Sequence, residues 1–208
     1  MRQILCYGDS NTWGSDPADD QRRFEWPVRW PGVLQRELGE AYHVLEEGLG
    51  GRTTVIDDPL TPHRSGLQLL APILETHAPL DLVVLMLGTN DISYAWVTAA
   101  DAADGAAAVA HLVRRSETGP GGAAPAVLLV CPPPVGPFAA SAQLYEGAEE
   151  KSRALPREFA RAAAAVRVPW MDAGEVIATS ALDGWHLEAS QHQLLGAAVA
   201  AEVRGLLP

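Results

Sequence analysis

The chain has 208 residues, 48% of them hydrophobic and 20% charged, the balance of a folded, water-soluble domain rather than a disordered one. Its formal net charge of −11 speaks against partners that select basic patches, so neither nucleic acid nor an anionic membrane surface is expected. No apolar run approaches the roughly 20 residues of a membrane span, and no signal-peptide pattern precedes the first strand. A single domain in the cytoplasm is the expectation for residues 1–208, with Cys6 and Cys131 buried in strands rather than paired.

The first element is an apolar run, Gln3 to Gly8, that stops at Asp9-Ser10-Asn11. A strand that ends in a turn lifts a serine hydroxyl above a sheet, beside free backbone N–H groups. Ser15 to Glu25 is polar and reads as a surface loop. Trp30, Val33, Leu34 and Leu38 follow helical spacing, and Gly39 marks the helix end. Tyr42 to Glu47 reads as the second strand and is closed by Gly48-Leu49-Gly50-Gly51. Turn chemistry around Asp57-Asp58-Pro59 and Thr61-Pro62 leads to a helix from about Ser65 to Thr76.

Leu80 to Leu87 is the clearest buried strand and ends in Gly88-Thr89-Asn90-Asp91. Ala99 to Arg115 reads as a helix, Thr118 to Pro125 as a loop and Ala126 to Cys131 as the fourth strand. That strand is stopped by Pro132-Pro133-Pro134, since proline cannot donate to a ladder. Val135 to Gly147 carries no assignment. Glu149 to Val166 is helical, with a kink or restart expected at Pro156. Val168 to Asp172 is a short fifth strand, followed by a loop holding Asp183-Gly184-Trp185-His186 and a last helix to Leu206.

Strands alternating with helices, several of them continuously apolar, specify a parallel sheet covered on both faces: a three-layer α/β/α, flavodoxin-like domain with five strands. In such sheets ligands bind beyond the carboxyl ends of the strands. Ser10, Gly50-Gly51-Arg52, Asn90-Asp91 and the Asp183–His186 loop all follow such ends. A serine, backbone amides, a side-chain amide, an acid and an imidazole are the parts of acyl transfer.

These segments resemble, in order, the four blocks of the SGNH (GDSL-type) hydrolase superfamily. Gly8-Asp9-Ser10 matches the first, Gly48 to Thr54 the second, Gly88 to Asp91 the third and Asp183 to His186 the fourth. Asn11 stands where the namesake leucine would be, a position without a catalytic part. Glu46 to Leu49, Arg52-Thr53-Thr54 and Ile56 to Pro59 are similar to a branch of small bacterial arylesterases that also transfer acyl groups to alcohols.

The resemblance implies a serine esterase acting on small carboxylic esters with no cofactor, or in the alternative a carbohydrate O-acetyl esterase. It implies Ser10 as nucleophile, His186 as general base and Asp183 as the acid behind it. Ser10, Gly51 and Asn90 would form the oxyanion hole, with Gly51 favoured over Gly50 because it directly precedes the Arg52-Thr53 segment. It also implies a homo-oligomer, for which the 132–147 segment with Phe138, Leu144 and Tyr145 is one candidate surface and cover of the site the other use. From proximity alone, Trp13 is a candidate wall of the substrate pocket. Asp9 reads as structural, Asp172 as a lesser rival to Asp183, and His192 as a residue of the last helix. No residues have metal-ligand spacing.

Overall fold

The computed structural model describes residues 1–136, 145 and 147–207. In chain order the elements are β1 (Arg2–Gly8), α1 (Ser10–Trp13), β2 (Ser15–Asp16), β3 (Asp19–Arg23), α2 (Trp30–Leu38), β4 (Tyr42–Gly48) and α3 (Gly66–His77). There follow β5 (Leu82–Met86), α4 (Ala99–Arg115), β6 (Ala126–Cys131), α5 (Ala148–Val166), β7 (Trp170–Asp172) and α6 (Ala189–Leu206). Short 3₁₀ turns occupy Asp91–Ser93, Pro120–Gly122 and Ala173–Glu175.

Five strands pair in parallel in the order β4-β1-β5-β6-β7. Side chains alternate between faces along each strand, and here both faces are apolar. Leu5, Tyr7, Val83, Leu85 and Leu129 pack with α3, α4 and α5. Ile4, Cys6, Leu82, Val84, Met86, Leu128 and Val130 pack with α2 and α6. That double burial is why the strands read as unbroken apolar runs, and it gives the three layers expected from the sequence.

The chain leaves β1 through α2 on one face and β4 through α3 on the other. A crevice therefore opens between the ends of β1 and β5, the topological switch point at which such sheets hold ligands. Ser10 and Asn90 follow those two ends.

Two expectations are corrected. Ser15 to Arg23 forms an antiparallel hairpin rather than an open loop. Its charges are largely engaged: Asp16 Oδ1 accepts the Ala18 N–H at 3.0 Å, Arg23 Nε donates to the Trp13 carbonyl at 2.7 Å, and Arg23 and Arg29 both pair with Glu46. Burial still pushes the Glu46 carboxyl up to about 7 against the pull of those two arginines. The second concerns α5, which does not restart at Pro156 but runs on as one helix to Val166. Packing of Leu155, Phe159, Ala162 and Ala163 into the core holds it against the lost hydrogen bond.

Gly48 lets α1 lie against the end of β4. A Cβ there would stand 2.1 Å from the backbone nitrogen of Trp13 and 2.5 Å from its Cα. Neither neighbour can rotate away, because both are main chain. Gly48→Ala is expected to cost about 3 kcal/mol, a fall in Tm of roughly 6–12 °C for a chain of this size by thermal melting. An unchanged Tm would show that α1 moves freely.

Candidate active site

Asp9 ends β1 as the N-cap of α1, and its Oδ1 accepts the Asn11 N–H at 2.9 Å. This places Ser10 at the first helical residue, where a backbone N–H has no partner within the helix. Asp9 is fully buried. Burial pushes its carboxyl up to about 6, opposed by the Asn11 N–H, by His186, by Arg52 and by a hydrogen bond from Thr89. Its expected structural part agrees with these contacts.

The Asp183–His186 turn reaches Ser10 across 176 positions of sequence. His186 Nε2 lies 3.0 Å from Ser10 Oγ, and His186 Nδ1 lies 2.7 Å from Asp183 Oδ2. The other carboxylate oxygen, Asp183 Oδ1, accepts the N–H groups of Trp185 at 2.8 Å and His186 at 3.0 Å. Burial would raise the Asp183 carboxyl, but the imidazole and these two N–H groups outweigh it and hold it below the ordinary range. An ionised Asp183 accepts only, so Nδ1 must carry the ring proton and Nε2 is left to accept from the Ser10 hydroxyl. Asn11 ties the two segments together by donating from Nδ2 to the Trp185 carbonyl at 3.2 Å.

Asn90 donates from Nδ2 to the Arg52 carbonyl at 2.9 Å, with Asp9 Oδ2 a longer 3.5 Å away. That bond fixes the amide against the residue that follows Gly51. Gly51 itself has φ 74°, the left-handed region that suits glycine. Arg52, which the sequence reading left without a part, braces the arrangement. Its Nη1 donates to the carbonyls of Gly8 (2.7 Å) and Glu47, and its guanidinium lies 4.0 Å over the Tyr7 ring. The Asp91 carboxylate accepts from the Thr54 N–H and hydroxyl, locking the β5 end to the same loop.

A cavity of about 620 Å³ opens here, lined among others by Gly51, Arg64, Asn90, Tyr94 and Tyr145. The structure thus joins Ser10, Asp183 and His186 by direct hydrogen bonds and sets Gly51 and Asn90 together on the cavity wall. Trp13 ends α1 under the guanidinium of Arg23, 4.8 Å from the ring centroid. Asp172 caps the 3₁₀ turn after β7 through the Gly174 N–H at 2.8 Å. His192 is buried on α6, accepts the Trp30 N–H, and is pushed down to about 4, chiefly by burial. Tyr145 stacks on Trp185, with ring centroids 4.8 Å apart. Phe138 and Leu144 lie outside the described residues.

Chemically the arrangement offers a hydroxyl whose proton has an imidazole acceptor, an acid that steadies the ring, and an amide donor held at a cavity wall. The model of the GDSL-like lipase/acylhydrolase family matches residues 6–194. Among solved structures, the native aryl esterase of M. smegmatis is 44% identical over the whole of both chains, with a TM-score of 0.94. Est24, a carbohydrate acetylesterase from Sinorhizobium meliloti, is 38% identical over the whole of both chains, also with a TM-score of 0.94. A lipase/acylhydrolase from Enterococcus faecalis is more distant, at 25% identity and a TM-score of 0.68 over 99% of this chain and 96% of its own. A comparison with curated proteins gives no match. The chain belongs to the GDSL-like lipase/acylhydrolase family and is a carboxylic ester hydrolase.

Proposed function

We propose that the protein hydrolyses small aryl and short-chain alkyl esters through an acyl-enzyme on Ser10, and that alcohols compete with water for the acyl group. The observation that carries this reading is the unbroken relay from Ser10 Oγ to His186 Nε2 at 3.0 Å and from His186 Nδ1 to Asp183 at 2.7 Å. In the first half-reaction Ser10 Oγ attacks the carbonyl carbon while its proton passes to His186. The carbon–oxygen bond to the leaving group breaks, and that oxygen takes the proton from His186. In the second half-reaction water, or an alcohol, gives its proton to His186 as it attacks the acyl-enzyme. The acid or the new ester leaves, and Ser10 recovers its proton.

The oxyanion would be met by the N–H groups of Ser10 and Gly51 and the side-chain amide of Asn90. Asn90→Ala is expected to lower kcat on 4-nitrophenyl acetate by about 10²–10³, with a much smaller change in KM, because this donor acts mainly on charge that develops in the transition state. A rise in KM at constant kcat would make Asn90 a ground-state contact instead. An acyl-length series of 4-nitrophenyl esters tests the substrate class. Turnover should be fastest for acetate to butyrate and fall for longer chains, and new esters should form when an alcohol is added.

A second reading, carbohydrate O-acetyl esterase, draws support from the likeness to Est24 and from the polar part of the cavity wall, including Thr53, Thr61 and Ser93. Acetylated sugars turned over faster than aryl acetates would favour it. The apolar side chains Leu60 and Trp96, 90% and 69% exposed, support association of copies of the chain into a homo-oligomer.

A further inference from the structure

The cavity beside the oxyanion donors has a cation in its wall. A Cβ built on Gly51 would stand 3.6 Å from Arg64 Nε and 3.7 Å from its Cδ, so the Arg64 side chain borders the residue assigned to the oxyanion hole. Its position is fixed from the backbone. The Arg64 carbonyl accepts the Thr53 N–H at 3.0 Å and the Thr53 hydroxyl at 3.2 Å, and Thr53 bridges Ser65 in parallel. The residue before it, His63, holds φ 63°, a left-handed conformation uncommon outside glycine, though histidine enters it more readily than most side chains.

The charge of Arg64 is not spent. Among the described residues its guanidinium forms no ion pair. Only its Nη1 is engaged, by the neighbouring carbonyls of Pro62 at 3.4 Å and His63 at 3.2 Å. The half-buried carboxylate of the same loop, Asp58, is taken by the Leu60 N–H at 2.8 Å and the Tyr94 hydroxyl at 3.0 Å. The other arginine of the region, Arg52, is committed to two carbonyls and an aromatic face. Nε and Nη2 of Arg64 are therefore left as a planar pair of donors beside the cavity, the geometry that meets a carboxylate with two parallel hydrogen bonds.

We propose that Arg64 makes the site selective for esters that carry a carboxylate within reach of the scissile carbonyl. The proposal rests on the Ser10 acyl-enzyme reading and names its substrate class. With a net charge of −11 the molecule as a whole repels such substrates, so a local cation is the means by which one would be held. The carboxylate can sit on the acyl chain, as in a half-ester of a dicarboxylic acid, or on the leaving group.

Paired substrates separate these sources: mono-4-nitrophenyl glutarate against 4-nitrophenyl valerate for the acyl side, and 4-acetoxybenzoate against phenyl acetate for the leaving side. The readout is the ratio of kcat/KM, charged over neutral, in wild type, Arg64→Leu and Arg64→Lys. In at least one pair the ratio should fall about tenfold in Arg64→Leu, the scale of one charge-assisted contact at a partly exposed site, and recover in part in Arg64→Lys. The wild-type ratio should also fall as salt is added. Ratios that are the same in all three proteins, for both pairs, overturn the proposal even if absolute rates change. Ester turnover that survives Ser10→Ala would instead overturn the underlying acyl-enzyme reading, so the two failures are told apart.

Discussion

Ser10→Ala is expected to lower kcat on 4-nitrophenyl acetate by about 10⁵–10⁶, since loss of the proposed nucleophile would abolish the covalent route altogether. The change removes one oxygen from a residue only 6% exposed, whose hydroxyl is hydrogen-bonded to His186 Nε2. Alanine suits a helical first turn, and Asp9 still caps it through the Asn11 N–H. Thermal stability should therefore stay within about 2 °C of wild type, a shift of no more than about 1 kcal/mol. A serine-directed phosphonate should add one equivalent to the wild-type chain, at Ser10, and none to the variant. Activity within about a hundredfold of wild type would place the nucleophile elsewhere.

Asp183→Asn is the second large effect, and its cause is direction rather than charge alone. In the wild type one carboxylate oxygen accepts the N–H groups of Trp185 and His186 while the other accepts from His186 Nδ1. In the variant the amide oxygen keeps the two backbone N–H groups, which turns the NH₂ toward Nδ1. Two donors cannot face each other, so Nδ1 gives up its proton and the ring carries it on Nε2. The imidazole then points a hydrogen at Ser10 Oγ and cannot take one from it. A loss of about 10⁴ in kcat at neutral pH is expected, with the fold intact. A loss below about tenfold would mean that Asp183 serves only to shape the turn.

Much of this site was legible because its parts are tied to strand ends. The apolar runs Leu82–Met86 and Ala126–Cys131 identify buried parallel strands, and the small and polar residues beyond β1 and β5, Asp9-Ser10 and Gly88 to Asp91, stand out against them. Gly50-Gly51, the Asn90 turn and the Asp183–His186 pair lie after strand ends by the same logic, while their separate roles came from the resemblance to the family's four blocks. The hairpin of β2 and β3 was not legible, because no apolar alternation marks it. Ser15 and Asp16 are buried through hydrogen bonds and ion pairs, which a hydrophobic pattern cannot register.

Arg52 and Arg64 were missed for a related reason. A guanidinium in a turn reads as solvent-facing, and only the fold shows that one lies buried on Tyr7 and the other borders Gly51.

The hydrogen bonds that span most of the chain have a consequence for how it reaches its native state. Ser10 meets His186, Asn11 meets Trp185 and the Trp30 N–H meets His192, at separations of 176, 174 and 162 residues. Contacts so distant carry a large loop-closure cost and form late unless the intervening strands have already drawn their ends together. β1 lies inside the sheet between β4 and β5, so its neighbours can assemble around it before the loop after β7 arrives. A compact intermediate with most of its sheet in place would still have no proton acceptor at Ser10. Recovery of ester cleavage during refolding thus reports docking of the last loop, whereas far-ultraviolet ellipticity reports the strands and helices that precede it.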